Sequence, residues 1–178
     1  MTPETRQLHS TTGLLVRPVE DVEDFAGNPG KYMLDLYSDD EAAADAWLRT
    51  GVRHRFTYND GVVTLTWNEI PILGVPDWGD LCGVWCCLSA VVDGYLSTGR
   101  GNGLFPDQPL HIGLESVQGG AIMTAGSTKT RVEPVTFCRE LLHEAERFWH
   151  WTDRWGIPVN SGQALQEIER VRTKIPWR

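Results

Sequence analysis

The chain has 178 residues and a formal net charge of −8 at neutral pH. This length can build one hydrophobic core without disulfide bonds, and the hydrophobic and charged fractions of 41% and 22% exclude a fibrous or largely disordered chain. The acidic balance argues against a nucleic-acid-binding protein. We therefore expect a single globular domain over residues 1–178, with residues 1–12 as a flexible end.

The first ten residues are polar and lack the basic start and apolar run of an export signal. We expect a cytoplasmic protein whose four cysteines are reduced rather than bridged. We expect no membrane partner either. The most apolar segment has only twelve uncharged residues between Asp80 and Asp93, whereas a bilayer requires roughly twenty.

The first half of the chain begins with strand-like segments and one helix. Residues 14–19 and 31–37 have the composition or the alternation of short strands. Ser38 and Glu41 have the spacing of a capping box, which predicts a helix over residues 39–50 that Gly51 ends.

A hairpin is predicted next, because Asn59-Asp60-Gly61 separates two strand-like runs, residues 52–58 and 61–67. In the second run Val63, Leu65 and Trp67 should share the dry face. Residues 70–76 contain two prolines and should lead irregularly into the following helix.

Residues 77–95 form the most apolar segment and predict a central helix, with Asp77 as its N-cap. One side of the helical wheel is large, and the other is small enough for another backbone to approach. The large side comprises Leu81, Val84, Trp85, Leu88, Val92 and Tyr95, and the small side Gly83, Cys86, Cys87, Ala90 and Gly94.

The glycine-rich residues 99–103 follow this helix. A phosphate-binding loop would precede a helix, so we expect a helix terminus and a mobile turn instead. Residues 110–117, 121–125 and 128–132 predict an antiparallel meander. A long helix over residues 134–155 follows, and a last helix is capped by Ser161. The predicted fold class is α+β, a mostly antiparallel sheet of five to seven strands with a buried central helix and two C-terminal helices.

Acidic residues concentrate in the first 50 positions, which carry ten acids and four bases. One cluster is Glu20, Asp21, Glu23 and Asp24, and the other is Asp39, Asp40, Glu41 and Asp45. The second cluster is the predicted partner-binding surface, because concentrated negative charge can attract and hold a basic protein. A solvated surface and helix capping are the simpler interpretations of the same residues.

Three further groups could carry chemistry. His111 and Glu115 should project from one sheet face, near Thr64 or Thr66 if the strands adjoin, where a carboxylate could polarise the imidazole as a general base. A helix face with acids and histidines could bind a metal or move protons, although ordinary surface ion pairs are the simpler explanation that we favour. This face comprises Glu140, His143, Glu144, Arg147 and His150.

The third group is the cysteines: Cys82, Cys86 and Cys87 in the central helix, and Cys138 near the start of the long one. They lack the paired ligand spacing of a zinc site, and we expect small apolar packing residues.

No metal or cofactor is expected. The leading hypothesis is a non-catalytic cytosolic protein-binding protein, an inhibitor of the immunity-protein type whose acidic surface neutralises a basic partner such as a toxin. The alternatives are a small enzyme with its site at His111 and Glu115, and a structural subunit of an assembly. The oligomeric state is left open.

Overall fold

The computed structural model describes residues 6–53 and 59–176, with backbone only for residues 51–53. This part of the chain contains five α-helices and nine strands in two antiparallel sheets, which confirms the predicted α+β class. The division of the strands between two sheets was not predicted. The helices are α1 (Val22–Gly27), α2 (Asp40–Arg53), α3 (Leu81–Thr98), α4 (Pro134–Arg154) and α5 (Ser161–Arg172), and a single 3₁₀ turn spans Pro29–Lys31.

The first sheet contains β1 (Leu8–Leu15), β2 (Met33–Asp35), β3 (Asp60–Trp67), β4 (Ile70–Leu73) and β5 (Trp78–Asp80). Its order is β2-β1-β3-β4, and β5 pairs with the beginning of β3. The predicted dry face of β3 is confirmed, because Val63, Leu65 and Trp67 are buried. β1 is central, pairing with β2 on one side and β3 on the other.

The second sheet contains β6 (Arg100–Leu104), β7 (His111–Val117), β8 (Gly120–Ala125) and β9 (Thr128–Val132), paired in chain order. The predicted meander is confirmed in β7, β8 and β9. Ile112 and Leu114 point into the core from the face that α3 covers, whereas His111 and Glu115 lie on the exposed face.

α3 is the core helix, as predicted from its two unequal sides. Trp85 and Leu88 are 0% and 1% exposed, and the Trp85 ring stacks on Phe148 of α4 at 6.1 Å between centroids. The close backbone approach is also present: a Cβ added to Gly94 would lie 3.1 Å from the Cα of Gly101 in β6. The rest of the small side is only partly covered, since Gly83 and Cys87 are half-buried whereas Cys86 and Ala90 are exposed.

The ends of α3 differ from the prediction. Its N-cap is Asp80, whose carboxylate accepts a hydrogen bond from the Gly83 amide at 2.6 Å. Asp77 lies before the helix, because residues 78–80 pair with β3 as β5. At the other end Gly99 takes the left-handed conformation (φ 80°) of a helix C-cap, as expected of a glycine there. The predicted mobile turn is wrong, because Arg100–Leu104 is strand β6.

The two C-terminal helices pack beside α3, and their apolar stripes form part of the common core. α4 ends before Gly156 (φ 62°), and Asn160 rather than Ser161 occupies the N-cap position of α5, without a side-chain hydrogen bond to the helix. Two salt bridges join the C-terminal region to Asp93 of α3, one from Arg170 of α5 at 2.9 Å and one from Lys174, just after α5, at 2.5 Å.

Other local predictions were wrong near the N-terminus. Residues 8–12, expected in a flexible end, form the first part of β1, and Leu8 is fully buried. The strand predicted over residues 14–19 therefore lies earlier in the chain. The N–H of Leu8 is held by the Glu140 carboxylate of α4 at 2.6 Å, a long-range contact that local patterns do not reveal.

The hairpin was also placed differently. Gly51 does not end α2, which continues to Arg53, and residues 54–58 of the predicted first strand lie outside the described residues. The observed hairpin joins β3 to β4 through Asn68 and Glu69, both with positive φ. β4 contains Pro71 and is an edge strand, where the missing N–H is tolerated.

Candidate functional site

A concave site of about 540 Å³ lies where β3, β5 and the loop between β6 and β7 meet. Asp60 and Asp107 line it as acidic side chains, and Trp78 and Val22 contribute apolar surface. Asp80 lies beside these two residues, since it is the register partner of Asp60 and its backbone N–H donates to the Asp107 carboxylate at 3.3 Å, while its own carboxylate caps α3. We call this site the acidic cleft.

The wall of the acidic cleft is held by backbone contacts. A Cβ added to Gly79 would lie 2.7 Å from the carbonyl oxygen of Pro106, so only glycine lets the β6–β7 loop approach β5 this closely. The side-chain amide of Gln108 donates to the carbonyl oxygen of Trp78 at 2.7 Å. Asp107 itself has φ 61°, a left-handed conformation that few side chains adopt.

Each carboxylate of the acidic cleft makes the charged form of its neighbours less favourable. Partial burial and the nearby charge of Asp107 raise the pKa of Asp60 above its ordinary value. Burial is also the largest cause that raises the pKa of Asp80, and the charges of Asp107 and Asp60 add to it, while hydrogen bonds from the Gly83 and Asn59 amides oppose it. Within the described residues, no base lies within 4.0 Å of these three carboxylates.

The acidic residues around α1 border this cleft, because Val22 lies on its wall and is 47% exposed. Glu20, Asp21 and Glu23 are exposed, and Asp21 caps α1 by accepting hydrogen bonds from two backbone amides. Asp24 is different, since hydrogen bonds from Tyr32 and Lys31 lower its pKa to about 2. Most of this predicted acidic cluster is therefore exposed charge that is next in sequence to Val22 of the cleft wall.

The predicted partner-binding acids lie at the N-terminal end of α2. Asp39, Glu41 and Asp45 are exposed and Asp40 is half-buried. Two of the four are paired, Asp40 with Arg154 at 3.4 Å and Asp45 with Arg49 at 2.9 Å. Asp39 also receives the N–H of Asp35 at 3.2 Å. This surface is acidic and accessible, but its charge is partly neutralised.

His111 and Glu115 share the exposed face of β7, as predicted, but they do not meet. Residues four apart along a strand are separated by about 13 Å. Glu115 pairs with Arg100 on β6 at 3.8 Å. Thr64 and Thr66 lie on β3 in the other sheet, paired with β1, so the strands do not adjoin and the condition for the expected proximity is not met. The enzyme hypothesis for these residues stays a prediction.

The helix face with Glu140, His143, Glu144, Arg147 and His150 is not uniformly solvated. His143, Arg147 and His150 are exposed, but Glu144 is buried at 1% exposure. It accepts a hydrogen bond from Ser10 at 2.5 Å and pairs with Arg6 at 2.9 Å. The location of this face in water, expected from its position opposite the apolar stripe, is therefore wrong at Glu144, which β1 covers.

The four cysteines are unbridged. Burial is the largest cause that raises the pKa of all four thiols, to about 12 for Cys82 and Cys138. Cys138 is buried and Cys86 is exposed. These thiols are less ionised at neutral pH than an ordinary cysteine, the opposite of what an activated nucleophile requires.

Two whole-chain features bear on ligands and location. Among residues 6–53 and 59–176, no group of three or more His, Cys, Asp or Glu side chains is arranged to hold a metal ion. In the same part of the chain, α3 alone is long and apolar enough to span a membrane by length and composition. In this structure α3 is the core helix, and its Asp93 is ion-paired with α5.

Comparisons with protein-family models, with curated proteins and with solved structures found no match to this chain.

The acidic cleft was not predicted from the sequence. Asp60 was assigned to a hairpin turn, and Asp80 and Asp107 lie 20 and 47 residues beyond it. The sequence shows Asp60 beside the predicted turn and Asp107 in the loop of residues 105–109. No local pattern indicates that the turn and the loop meet in the fold.

Proposed function

We propose that this chain is a non-catalytic protein-binding protein of the immunity or inhibitor type, and that it holds a basic protein partner in the acidic cleft. The observation that carries the proposal is the convergence of Asp60, Asp80 and Asp107, which have no described base within ion-pairing distance. Lysine or arginine side chains of a partner would supply the missing positive charge.

The raised pKa values of Asp60 and Asp80 support this proposal. A carboxylate whose charged form is disfavoured in the free protein gains more from a cation than one that is already paired. Trp78 adds an aromatic surface beside these charges, and a guanidinium group can stack on indole while its N–H groups bind carboxylates. The cleft can therefore hold arginine as well as lysine.

The predicted α2 surface has a secondary role in this proposal. Asp39 and Glu41 are exposed charges, and charges at the rim of an interface act mainly on the rate of association. Neutralised cleft carboxylates should instead shorten the lifetime of the complex. The two surfaces can thus be separated by kinetics.

The test compares two variants that each remove two negative charges, Asp60→Asn with Asp107→Asn in the acidic cleft, and Asp39→Asn with Glu41→Gln on α2. Asparagine is the appropriate replacement at Asp107, because it tolerates the left-handed conformation. Tagged wild-type protein is treated with a zero-length carbodiimide in extract of the native cell, which joins carboxylates to lysines in direct contact. Mass spectrometry identifies the partner and the joined residues.

We expect a basic partner joined to the acidic cleft or to the adjoining α1 acids. With the purified partner, the cleft variant should dissociate about tenfold faster, since a charged hydrogen bond contributes about 1.5 kcal/mol or more. The α2 variant should change the association rate by less than about threefold. The proposal is wrong if the partner is acidic, or if the cleft variant binds as tightly as wild type.

A further inference from the structure

A second cavity, of about 550 Å³, lies between α4, the end of α5 with the segment after it, and the segment before β1. Ile175 and Pro176 contribute apolar surface to it, and the side chains of Arg6, Arg139 and Arg172 border it. Arginine stems add further apolar surface while their guanidinium groups stay at the margin. The cavity therefore combines an apolar floor with a basic rim, and we call it the basic pocket.

The acids of the basic pocket are already engaged by the protein itself. The Glu140 carboxylate accepts a hydrogen bond from the Leu8 amide at 2.6 Å. The Glu146 carboxylate binds both terminal nitrogens of Arg172, at 2.8 and 3.2 Å, and these hydrogen bonds lower its pKa although burial opposes them. Neither carboxylate is left to receive a cationic ligand.

The bases are engaged unequally. Arg172 is held by Glu146, and Arg6 pairs with Glu144 at 2.9 Å. Arg139 is exposed and has no hydrogen-bond or ion-pair partner among the described residues. His143 is also exposed, with its ring Nδ1 only 4.0 Å from Glu146. Arg139 is thus the arginine of the pocket whose guanidinium has no partner among the described residues.

From this arrangement we infer that the basic pocket binds a small amphipathic anion, in which one carboxylate or sulfonate group is attached to an apolar body. The anionic group binds the Arg139 guanidinium, whose N–H groups match two oxygens of such a group. The apolar body lies on Ile175 and Pro176. Ligand pockets commonly have this composition, a mainly apolar lining with a few polar groups that fix orientation.

This inference is independent of the proposed function. It uses residues of α4, α5 and the region before β1, and none of the acidic cleft. The Asp60→Asn and Asp107→Asn variant should therefore bind the probe described below as wild type does, whichever way its partner binding changes.

The experiment uses two fluorescent probes that differ only in the anionic group, 1-anilinonaphthalene-8-sulfonate and the uncharged N-phenyl-1-naphthylamine. Fluorescence titration of the full chain at pH 7 gives the affinity and the stoichiometry. We expect one sulfonate probe per chain, bound more tightly than the uncharged probe. The variants are Arg139→Gln and, as a matched control, Arg17→Gln, which removes an exposed charge after β1.

Arg139→Gln should weaken binding of the sulfonate about tenfold and leave binding of the uncharged probe within twofold, because only the charged hydrogen bonds are lost. Arg17→Gln should change neither. Far-UV circular dichroism checks that both variants are folded. Equal affinity for the two probes, unchanged sulfonate binding by Arg139→Gln, or absence of binding would each overturn the inference.

Discussion

The Ser10 hydroxyl donates a hydrogen bond to the Glu144 carboxylate at 2.5 Å, where β1 crosses α4. Arg6 and Arg147 approach the same carboxylate at 2.9 and 3.7 Å, and the Arg147 guanidinium also lies 3.5 Å from the centroid of the Tyr37 ring. A single buried acid thus joins the first sheet, α4 and the segment before α2.

Glu144→Ala should lower the free energy of unfolding by about 2 kcal/mol, because it removes the buried acceptor and leaves Ser10 without a partner. The loss is smaller than for a fully buried ion pair, since both arginines are partly exposed. Urea denaturation measures it. Glu41→Ala, at an exposed acid on α2, should change stability by less than about 0.5 kcal/mol. Equal effects of the two substitutions would contradict the role assigned to Glu144.

Gly101→Ala should destabilise the packing of β6 on α3. A Cβ at this position would lie 1.8 Å from the carbonyl oxygen of Val91, and backbone on both sides would have to move. We expect a loss of about 2–3 kcal/mol in urea denaturation. Gly162→Ala is the control, because a Cβ there meets nothing within 4 Å and alanine favours the helix, with an expected gain of about 0.5 kcal/mol.

Asp60→Asn should raise the melting temperature at pH 7. Because the pKa of Asp60 is raised in the folded protein, first by burial and then by Asp107, the folded state binds its proton more tightly than the unfolded chain. Stability is therefore lost as pH rises from the unfolded pKa of about 3.9 through the higher folded value, and asparagine, which does not ionise, avoids this loss. The advantage of the variant should shrink towards pH 4 in scanning calorimetry. A melting temperature of Asp60→Asn below that of wild type at pH 7 would contradict this prediction.

Asp93→Asn should have the opposite pH dependence. Burial tends to raise the pKa of Asp93, but hydrogen bonds from Lys174 and Arg170 outweigh it, so the folded pKa is lowered. The stabilisation is present above the unfolded pKa of about 3.9 and is lost as pH falls through the lower folded value. At pH 7 the variant should lose about 1 kcal/mol in urea denaturation. The difference from wild type should disappear in strong acid.

The matched control for Asp93 is Glu115→Gln. Glu115 and Arg100 are both exposed and 3.8 Å apart, so their pair should contribute less than about 0.5 kcal/mol at any pH. If both substitutions cost the same, the ion pairs of Asp93 do not anchor α5 to α3.

The periodic spacing of apolar residues correctly predicted the buried faces of elements that carry this pattern within their own sequence. The bulky side of α3 and the alternation of β3 and β7 indicated which faces are dry, and the structure confirms them. Patterns failed where partners are distant in sequence. Residues 8–12 form a strand because β3 and Glu140 satisfy their backbone, and Glu144 is buried because β1 covers it.

The candidate sites were harder to predict for the same reason. The acidic clusters were visible because their members are neighbours in sequence, whereas the acidic cleft assembles Asp60, Asp80 and Asp107 from three segments. His111 and Glu115 show the opposite error. They were predicted to act together because they share a face of one strand, but residues four apart along a strand are too far apart to meet.

The central position of β1 has a consequence for synthesis. During translation β1 leaves the ribosome before β3, its long antiparallel neighbour, and before the glutamates of α4 that hold its beginning, more than 130 residues later. The nascent chain must therefore carry β1 without its long partner until β3 has emerged, and the beginning of β1 is not held until α4 has been made. Such late closure gives a high contact order, so the first sheet should form slowly and should be the part most prone to misfolding when elongation stalls.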